Sequence, residues 1–487
     1  MYIKKVEQKD PRPGRTPLFL LFLVVLLAGV GGCGDLPFSA GDPLAGDPVS
    51  VEPDEEWYKS GLLWHLERIN APRAWRVVAE QEVLGRTSPV VLAVVDSAID
   101  QDHEDLRDVI SEAGAVFLGG EAASGPAPPH DHGSHVAGLA GALGGNGTGV
   151  VGASFNGYRR VLMPLLPVTV LSRQGDGTVA DLAEGIYYAA GGRPGSWGHR
   201  PDRPAGVINL SLGIASLRGL SREALHGAVR FAAERDVVLV AAAGNNQLGG
   251  LSRVDYPARF PEVIAVGALD QGNNRAGFSH YGEDLELMAP GVQLTSTVPG
   301  DDPPGSQYKE MSGTSMAAPL VSAVAAMMRV VNPRLPAERI RQILGETARD
   351  LGTPGRNEQF GFGLVDAGAA VLRAAGEGSA SLRMSVSSAG GADGAFVPSR
   401  EDLRWNSEGL SRVALVPAGE VLQDSQKLEE LTRELSERRG IVFDPPGGSI
   451  LRGEVPVGEE GESLLEYLNA HPLVEIAFQD ERIRVSP

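Results

Sequence analysis

Four short apolar runs constrain this chain more than any other feature. They are "VVLAVVD" (90–96), "VINLSL" (207–212), "VVLVAAAG" (237–244) and "VIAVGA" (263–268). They are near-continuous apolar runs, "VINLSL" being broken by Asn209 and Ser211. Runs of this kind fit strands buried on both faces of a parallel sheet. Segments with helical spacing lie between and after them, among them "SREALHGAVRFAAERD" (221–236) and "SMAAPLVSAVAAMMRVV" (315–331). The alternation predicts an α/β fold: a mostly parallel sheet with helices on both faces. At 487 residues, 42% of them hydrophobic, the chain has material for a sizeable core and more than one domain.

The two ends stand outside that pattern. Lys4, Lys5, Lys9, Arg12 and Arg15 precede "TPLFLLFLVVLLAGVGG", a basic segment and then an apolar one, as in a secretory signal. The only cysteine, Cys33, follows directly in "VGGC". With no second cysteine it has no disulfide partner within the chain. The segment resembles the bacterial lipoprotein signal. That resemblance implies a signal peptide over 1–32, a lipid on Cys33 and anchoring to a membrane at the periplasmic or outer cell surface. An ordinary cleaved signal, leaving a secreted protein, and an uncleaved membrane anchor are the other readings. Residues 33–56 are rich in Gly, Pro and Asp and read as a flexible acidic tether. A main domain is expected over 57–375 and a Gly/Ser-rich linker over 376–410. Over 411–487 the pattern is strand, helix, two strands, helix, strand, with Leu428, Leu431 and Leu435 on one helix face. That order predicts a small ferredoxin-like α+β domain. The net charge, 43 Lys and Arg against 62 Asp and Glu, is −19 and argues against a nucleic-acid partner.

Residues with chemical potential sit at the ends of the apolar runs. Asp96 closes the first, in "VVDSAID". His132 opens a predicted helix in "HDHGSHVAGLAGAL". Asn245 follows the third run in "AAAGNN". Ser315 opens another helix in "MSGTSMAAP". Each alone has an ordinary structural reading: helix cap, turn residue, or hydroxyl beside packing alanines. All four in one chain point instead to nucleophilic catalysis. A serine needs a base beside it, and the base needs a group that orients it.

"VVDSAID", "HGSHVAG", "NGTGVVGAS", "INLSLG", "AAAGN" and "GTSMAAP" together resemble the subtilisin-like serine proteases, the subtilases. The order Asp, His, Ser is that of subtilisin. The resemblance covers about Trp57 to Ala375 and implies a subtilisin-like parallel sheet and a serine endopeptidase acting on polypeptides. It implies an Asp96–His132–Ser315 triad, with Asn245 as the side-chain donor to the oxyanion. "SLG" (Ser211, Leu212, Gly213) and "AAG" (Ala242, Ala243, Gly244) resemble the two strips that bind an extended peptide. Two departures are visible: Ser134 stands where the family has Thr, and Ala98 where it has Gly. The C-terminal region resembles the propeptide inhibitor of subtilases, above all in "LLEYLNAHPLVEIAFQD", although that module normally precedes the protease. An intramolecular contact of residues 411–487 with the peptidase domain is therefore expected.

No cofactor is needed for this chemistry, but the family resemblance implies a structural calcium site. Asp105, Asn146, Thr148 and Val150, the last two through backbone carbonyls, are the matching residues. Two other functions remain open. His130, His132 and His135 form an H-x-H-x-x-H pattern similar to a zinc motif of metallohydrolases. The fold could also serve as a catalytically inactive binding module.

Overall fold

The computed structural model describes residues 51–377 except 120, 125–126, 157–159, 193–199, 247–249 and 302–303. Beyond them it describes 412–417, 425–439, 441–443, 450–454, 461–471, 474–479 and 482–484. The signal segment, Cys33, most of the tether and most of the linker lie outside the described residues.

The apolar runs form the centre of one eight-stranded sheet. Its strands are β1 (Leu92–Ser97), β2 (Ala115–Leu118), β3 (Glu121–Ser124), β4 (Leu165–Leu171), β6 (Val207–Leu210), β7 (Val238–Ala242), β8 (Val263–Leu269) and β9 (Leu287–Pro290), with β5 (Asp176–Thr178) lying outside it. The order is β3-β2-β4-β1-β6-β7-β8-β9. Every pairing is parallel except β2 with β3. Strands β1, β4, β6, β7 and β8 are buried at every position, which is why their sequences are mostly apolar; Asp96, Ser97, Thr169 and Asn209 are the polar residues buried in them.

Side chains of a strand alternate between faces, and β1 shows both being covered. Val95 points at helix Val179–Ala189, where a Cβ added to Gly185 would lie 3.3 Å from its Cγ1. Asp96, next along, points at helix Asp131–Gly141 on the other face. Helix Thr314–Val331 packs beside Asp131–Gly141 and against β6 to β9. It is long and apolar enough to cross a membrane, but every residue in it is buried, so it is a core helix. Because β4 and β6 flank β1 on opposite sides, the carboxyl end of β1 is where strand order reverses. Open α/β sheets place their sites at such a switch point.

A hairpin of β10 (Leu294–Asp301) and β11 (Pro304–Met311) follows the sheet. Beyond the linker come β12 (Arg412–Pro417), helix Ser425–Arg439, β13 (Val442–Phe443), β14 (Leu451–Glu454), helix Gly461–Asn469 and β15 (Val474–Gln479). Their sheet order is β13-β14-β12-β15, all antiparallel. This is the split pattern expected of a ferredoxin-like module. Leu428, Leu431 and Leu435 are buried in its core. A last strand, β16 (Arg482–Arg484), leaves that sheet and pairs antiparallel with β5, Ile483 opposite Gly177.

Candidate active site

The site grows from the carboxyl end of β1. Asp96 is fully buried there, and its Oδ1 lies 2.8 Å from His132 Nδ1. The same oxygen accepts the Ser97 backbone N–H at 2.6 Å. His132 comes this close because Gly133 follows it: a Cβ at 133 would lie 2.1 Å from the Ser97 carbonyl oxygen. The Gly133 N–H also donates to Ser97 Oγ at 3.0 Å, tying helix start to strand end. A carboxylate facing Nδ1 holds the proton on that nitrogen and leaves Nε2 as the basic one. Nε2 is buried and takes no hydrogen bond among the described residues.

Ser315 stands in the first turn of helix Thr314–Val331 and is 4% exposed. Its backbone is held from β6: Ser211 Oγ donates to the Ser315 carbonyl oxygen at 2.8 Å, and Asn209 Nδ2 donates to Ser211 Oγ at 2.9 Å. Asn245 follows β7, and its Oδ1 accepts from the Thr314 N–H at 2.9 Å and lies 3.0 Å from Thr314 Oγ1. With the oxygen engaged, the Nδ2 amide is left to donate outward, beside the N-terminus of the Ser315 helix. An N–H group there and an amide N–H aimed alongside it form a pair of donors suited to developing negative charge.

Comparison with known proteins agrees with this geometry. The Subtilase family profile matches residues 87–363. The chain is 39% identical over 333 residues to an "Alkaline protease" of Alkalihalobacillus alcalophilus, covering 68% of this chain and 76% of the relative. It is 38% identical over 307 residues to "Subtilisin Savinase" of Lederbergia lenta, covering 63% of this chain and 97% of the relative. Among solved structures, a protease from Pseudoalteromonas arctica superposes with a TM-score of 0.56 at 30% identity, covering 66% of this chain and 99% of that one. The chain belongs to the subtilase family. It is a serine endopeptidase of that family, and its fold is subtilisin-like.

The remaining sequence expectations divide in this subtilase. The strips Ser211–Gly213 and Ala242–Gly244 both reach the first turn of the Ser315 helix: the first through Ser211 Oγ to the Ser315 carbonyl, the second through the Gly244 N–H, which donates to Thr314 Oγ1 at 3.2 Å. Ser211 thus spends its hydroxyl on Ser315 rather than on the cleft. Of the two departures, Ser134 Oγ accepts the Asp100 N–H at 2.9 Å, and Ala98 is buried. The histidines of "HDHGSH" do not converge. His130 Nδ1 accepts the His132 N–H, His132 faces Asp96, and His135 Nε2 lies 3.0 Å from two carbonyls, Leu294 O and Lys309 O. Burial holds His135 down to about pKa 4, so it stays neutral. Among the described residues no group of three His, Cys, Asp or Glu could hold a metal ion.

The expected calcium ligands do come together, but as donors around an acceptor. Asp105 Oδ1 accepts from Asn146 Nδ2 at 2.8 Å, and its Oδ2 from the Val150 N–H at 3.0 Å. Asn146 Oδ1 accepts the Thr148 N–H at 3.0 Å. Tyr308 Oη, on β11, lies 2.9 Å from both Asp105 Oδ2 and Glu104 Oε1. Burial and these two carboxylates push the Tyr308 phenol up, so it stays a donor. The carboxylate is satisfied by N–H and O–H groups where a calcium cage needs free oxygens. As they stand, the side-chain oxygens of Asp105 and Asn146 are engaged by protein donors rather than turned to an ion.

The sequence reading missed three contributors: Thr314, which orients Asn245; Gly133, which admits the helix; and Asp255, which lies between the two strips. Only Thr314 carried a signal, as the hydroxyl residue beside Ser315.

Proposed function

We propose that this subtilase hydrolyses peptide bonds with Ser315 as nucleophile, His132 as base and Asp96 as the group that orients it. A serine hydroxyl is a weak nucleophile at neutral pH. His132 Nε2 takes its proton as Oγ attacks the substrate carbonyl and later returns it to the leaving amine. Asp96 fixes the tautomer and stabilises the imidazolium. The Asn245 Nδ2 amide and the Ser315 N–H receive the oxyanion. The observation that carries this reading is the buried 2.8 Å Asp96–His132 hydrogen bond, which leaves Nε2 as the basic nitrogen. No step passes through a metal. A fluorophosphonate should inactivate the protein and label Ser315, as read by peptide mapping, while a zinc chelator leaves activity unchanged. Inactivation by the chelator without labelling would favour the histidine-cluster reading, and neither effect would favour an inactive binding module.

The basic and apolar leader and Cys33 support an exported protein anchored by lipid on that cysteine. Detergent partitioning that Cys33→Ser abolishes is the check. For residues 411–487 we propose an inhibitory role. The pairing of β16 with β5 supports it, because β5 follows β4 at the same end of the sheet as Asp96. So does Arg452, whose Nη2 lies 2.9 Å from Asp181 Oδ1, both residues buried.

A further inference from the structure

Asp255 is a buried carboxylate with no Lys or Arg partner among the described residues, and it lies against the two strips expected to bind the substrate. Its backbone N–H donates to Ala243 O at 2.9 Å, in the second strip. The next residue, Tyr256, exchanges two backbone hydrogen bonds with Ile214, which directly follows the first strip. Residue 255 is therefore pinned between the strips. Its side chain turns toward the glycine that ends each one. A Cβ at Gly244 would lie 2.3 Å from Asp255 Oδ2, and one at Gly213 would lie 3.1 Å from the same atom. Gly244 also has φ +105°, a conformation that glycine alone adopts without strain. The two glycines thus make room for the Asp255 carboxylate, which takes up the space their side chains would fill and lies against both strips.

No Lys or Arg side chain pairs with that carboxylate among the described residues. Asp255 is 3% exposed, and its Oδ1 makes no hydrogen bond among the described residues. Its one ionisable neighbour among them is His280, whose Nδ1 is 3.4 Å from Oδ1, longer than a charge-assisted hydrogen bond. Both ring nitrogens of His280 are likewise buried without a hydrogen-bond partner among the described residues. The arginines nearest in sequence are engaged elsewhere: Arg253 with Ala215 O and Arg259 with Asp284. A buried carboxylate with only a histidine beside it is costly, so a cation that arrives with the substrate is the natural counterpart.

Which substrate side chain would meet it follows from the chemistry. The carbonyl under attack sits between Ser315 and Asn245, and the strips that flank Asp255 are hydrogen-bonded to Ser315 and Thr314. The side chain beside that carbonyl, on the acyl side of the scissile bond, is the one that would meet it. We infer that Asp255 makes this protease selective for lysine or arginine immediately before the scissile bond. The inference rests on the serine-protease reading above and adds the substrate class.

The test uses the full chain and peptides identical except for Lys, Arg, Phe or Glu before the scissile bond, with sites counted by fluorophosphonate titration. Lys and Arg peptides should be cleaved with kcat/KM at least about 10-fold above Phe, and Glu should be the poorest. Asp255→Asn should lower kcat/KM for Lys and Arg on the order of 10²-fold and leave Phe within about 3-fold. Asp255→Ser should do the same, and the fluorophosphonate labelling rate of each variant reports whether its site is intact. Wild-type protein that labels normally but cleaves Phe as well as Lys and Arg overturns this inference alone. So does a variant that loses all substrates alike, the mark of a structural Asp–His pair. Failure to label at all overturns the serine-protease reading and this inference with it.

Discussion

At the scale of single residues, the distance between what a side chain is and what its partners make of it decides the reading. Asn245 is an ordinary residue after a strand until Thr314 engages its oxygen from two atoms. That contact joins the end of β7 to the start of the Ser315 helix and turns the amide into a directed donor. Asn245→Ala should then cost about 10²–10³ in kcat with little change in KM, since the bond forms only as the oxyanion develops. Thr314→Val should fall in the same direction by less, because the backbone N–H of residue 314 still holds the Asn245 oxygen. Single-turnover kinetics on one peptide measure both; a loss confined to KM would place Asn245 in ground-state binding instead. Asp96, His132, Asn245 and Ser315 were legible because each lies in a stretch whose neighbours are also diagnostic. Asp255 was not: "RVDYP" carries no motif, and its place depends on hydrogen bonds to two strips remote in sequence.

At the scale of elements, the apolar runs were legible wherever burial on both faces removed polar residues. Strand β4 was not singled out, although it pairs with β1 along its length. It contains Pro167, and proline is rarely found inside a central strand. The hairpin β10–β11 was equally hidden, being polar in sequence, yet it places Tyr308 against Asp105 and the Asn146 loop. The T-shaped stack of Tyr308 on Trp57, 4.7 Å between ring centroids, ties that hairpin to the segment where the main domain begins. Glu55, in the same segment, accepts the Gly145 and Asn146 N–H groups, so the loop is clamped from both sides. Both oxygens of Asp105 being already engaged by protein donors, a calcium chelator should leave Tm unchanged. Tyr308→Phe should cost about 1–3 kcal/mol by depriving a buried carboxylate of a donor. Thermal melts of the Ser315→Ala background, which cannot digest itself, decide this. A Tm that rises with millimolar calcium and falls again with chelator would show that the loop turns its oxygens inward and takes the ion.

At the scale of the whole molecule, the question is what residues 411–487 do to the protease that carries them. The order of strands and helices in that module was readable from sequence, because each element carries its own periodicity. The meeting of its last strand with β5 was not, because "ERIRVSP" is short and charged. An edge strand such as β5 offers unpaired backbone groups to any extended segment. A substrate would add there as a strand, and β16 makes that same kind of pairing. The second contact is electrostatic. Asp181 caps helix Val179–Ala189 in a box with Thr178, and Arg452 reaches it at 2.9 Å, in ion-pairing range but not aligned as a hydrogen bond. Both side chains are nearly inaccessible, so removing the Arg452 guanidinium deprives the buried Asp181 carboxylate of this counter-charge, which costs about 2–5 kcal/mol. The full chain should therefore hydrolyse a small peptide more slowly per titrated site than a chain ending at Glu377. Arg452→Ala should recover much of the difference, and deletion of 482–487 should recover part of it by freeing β5. The measurement is initial rate against peptide concentration for the four proteins, because a tethered competitor raises apparent KM and spares kcat. Equal rates in all four would make the module a docking domain, with β16 a passenger on the cleft rather than its plug.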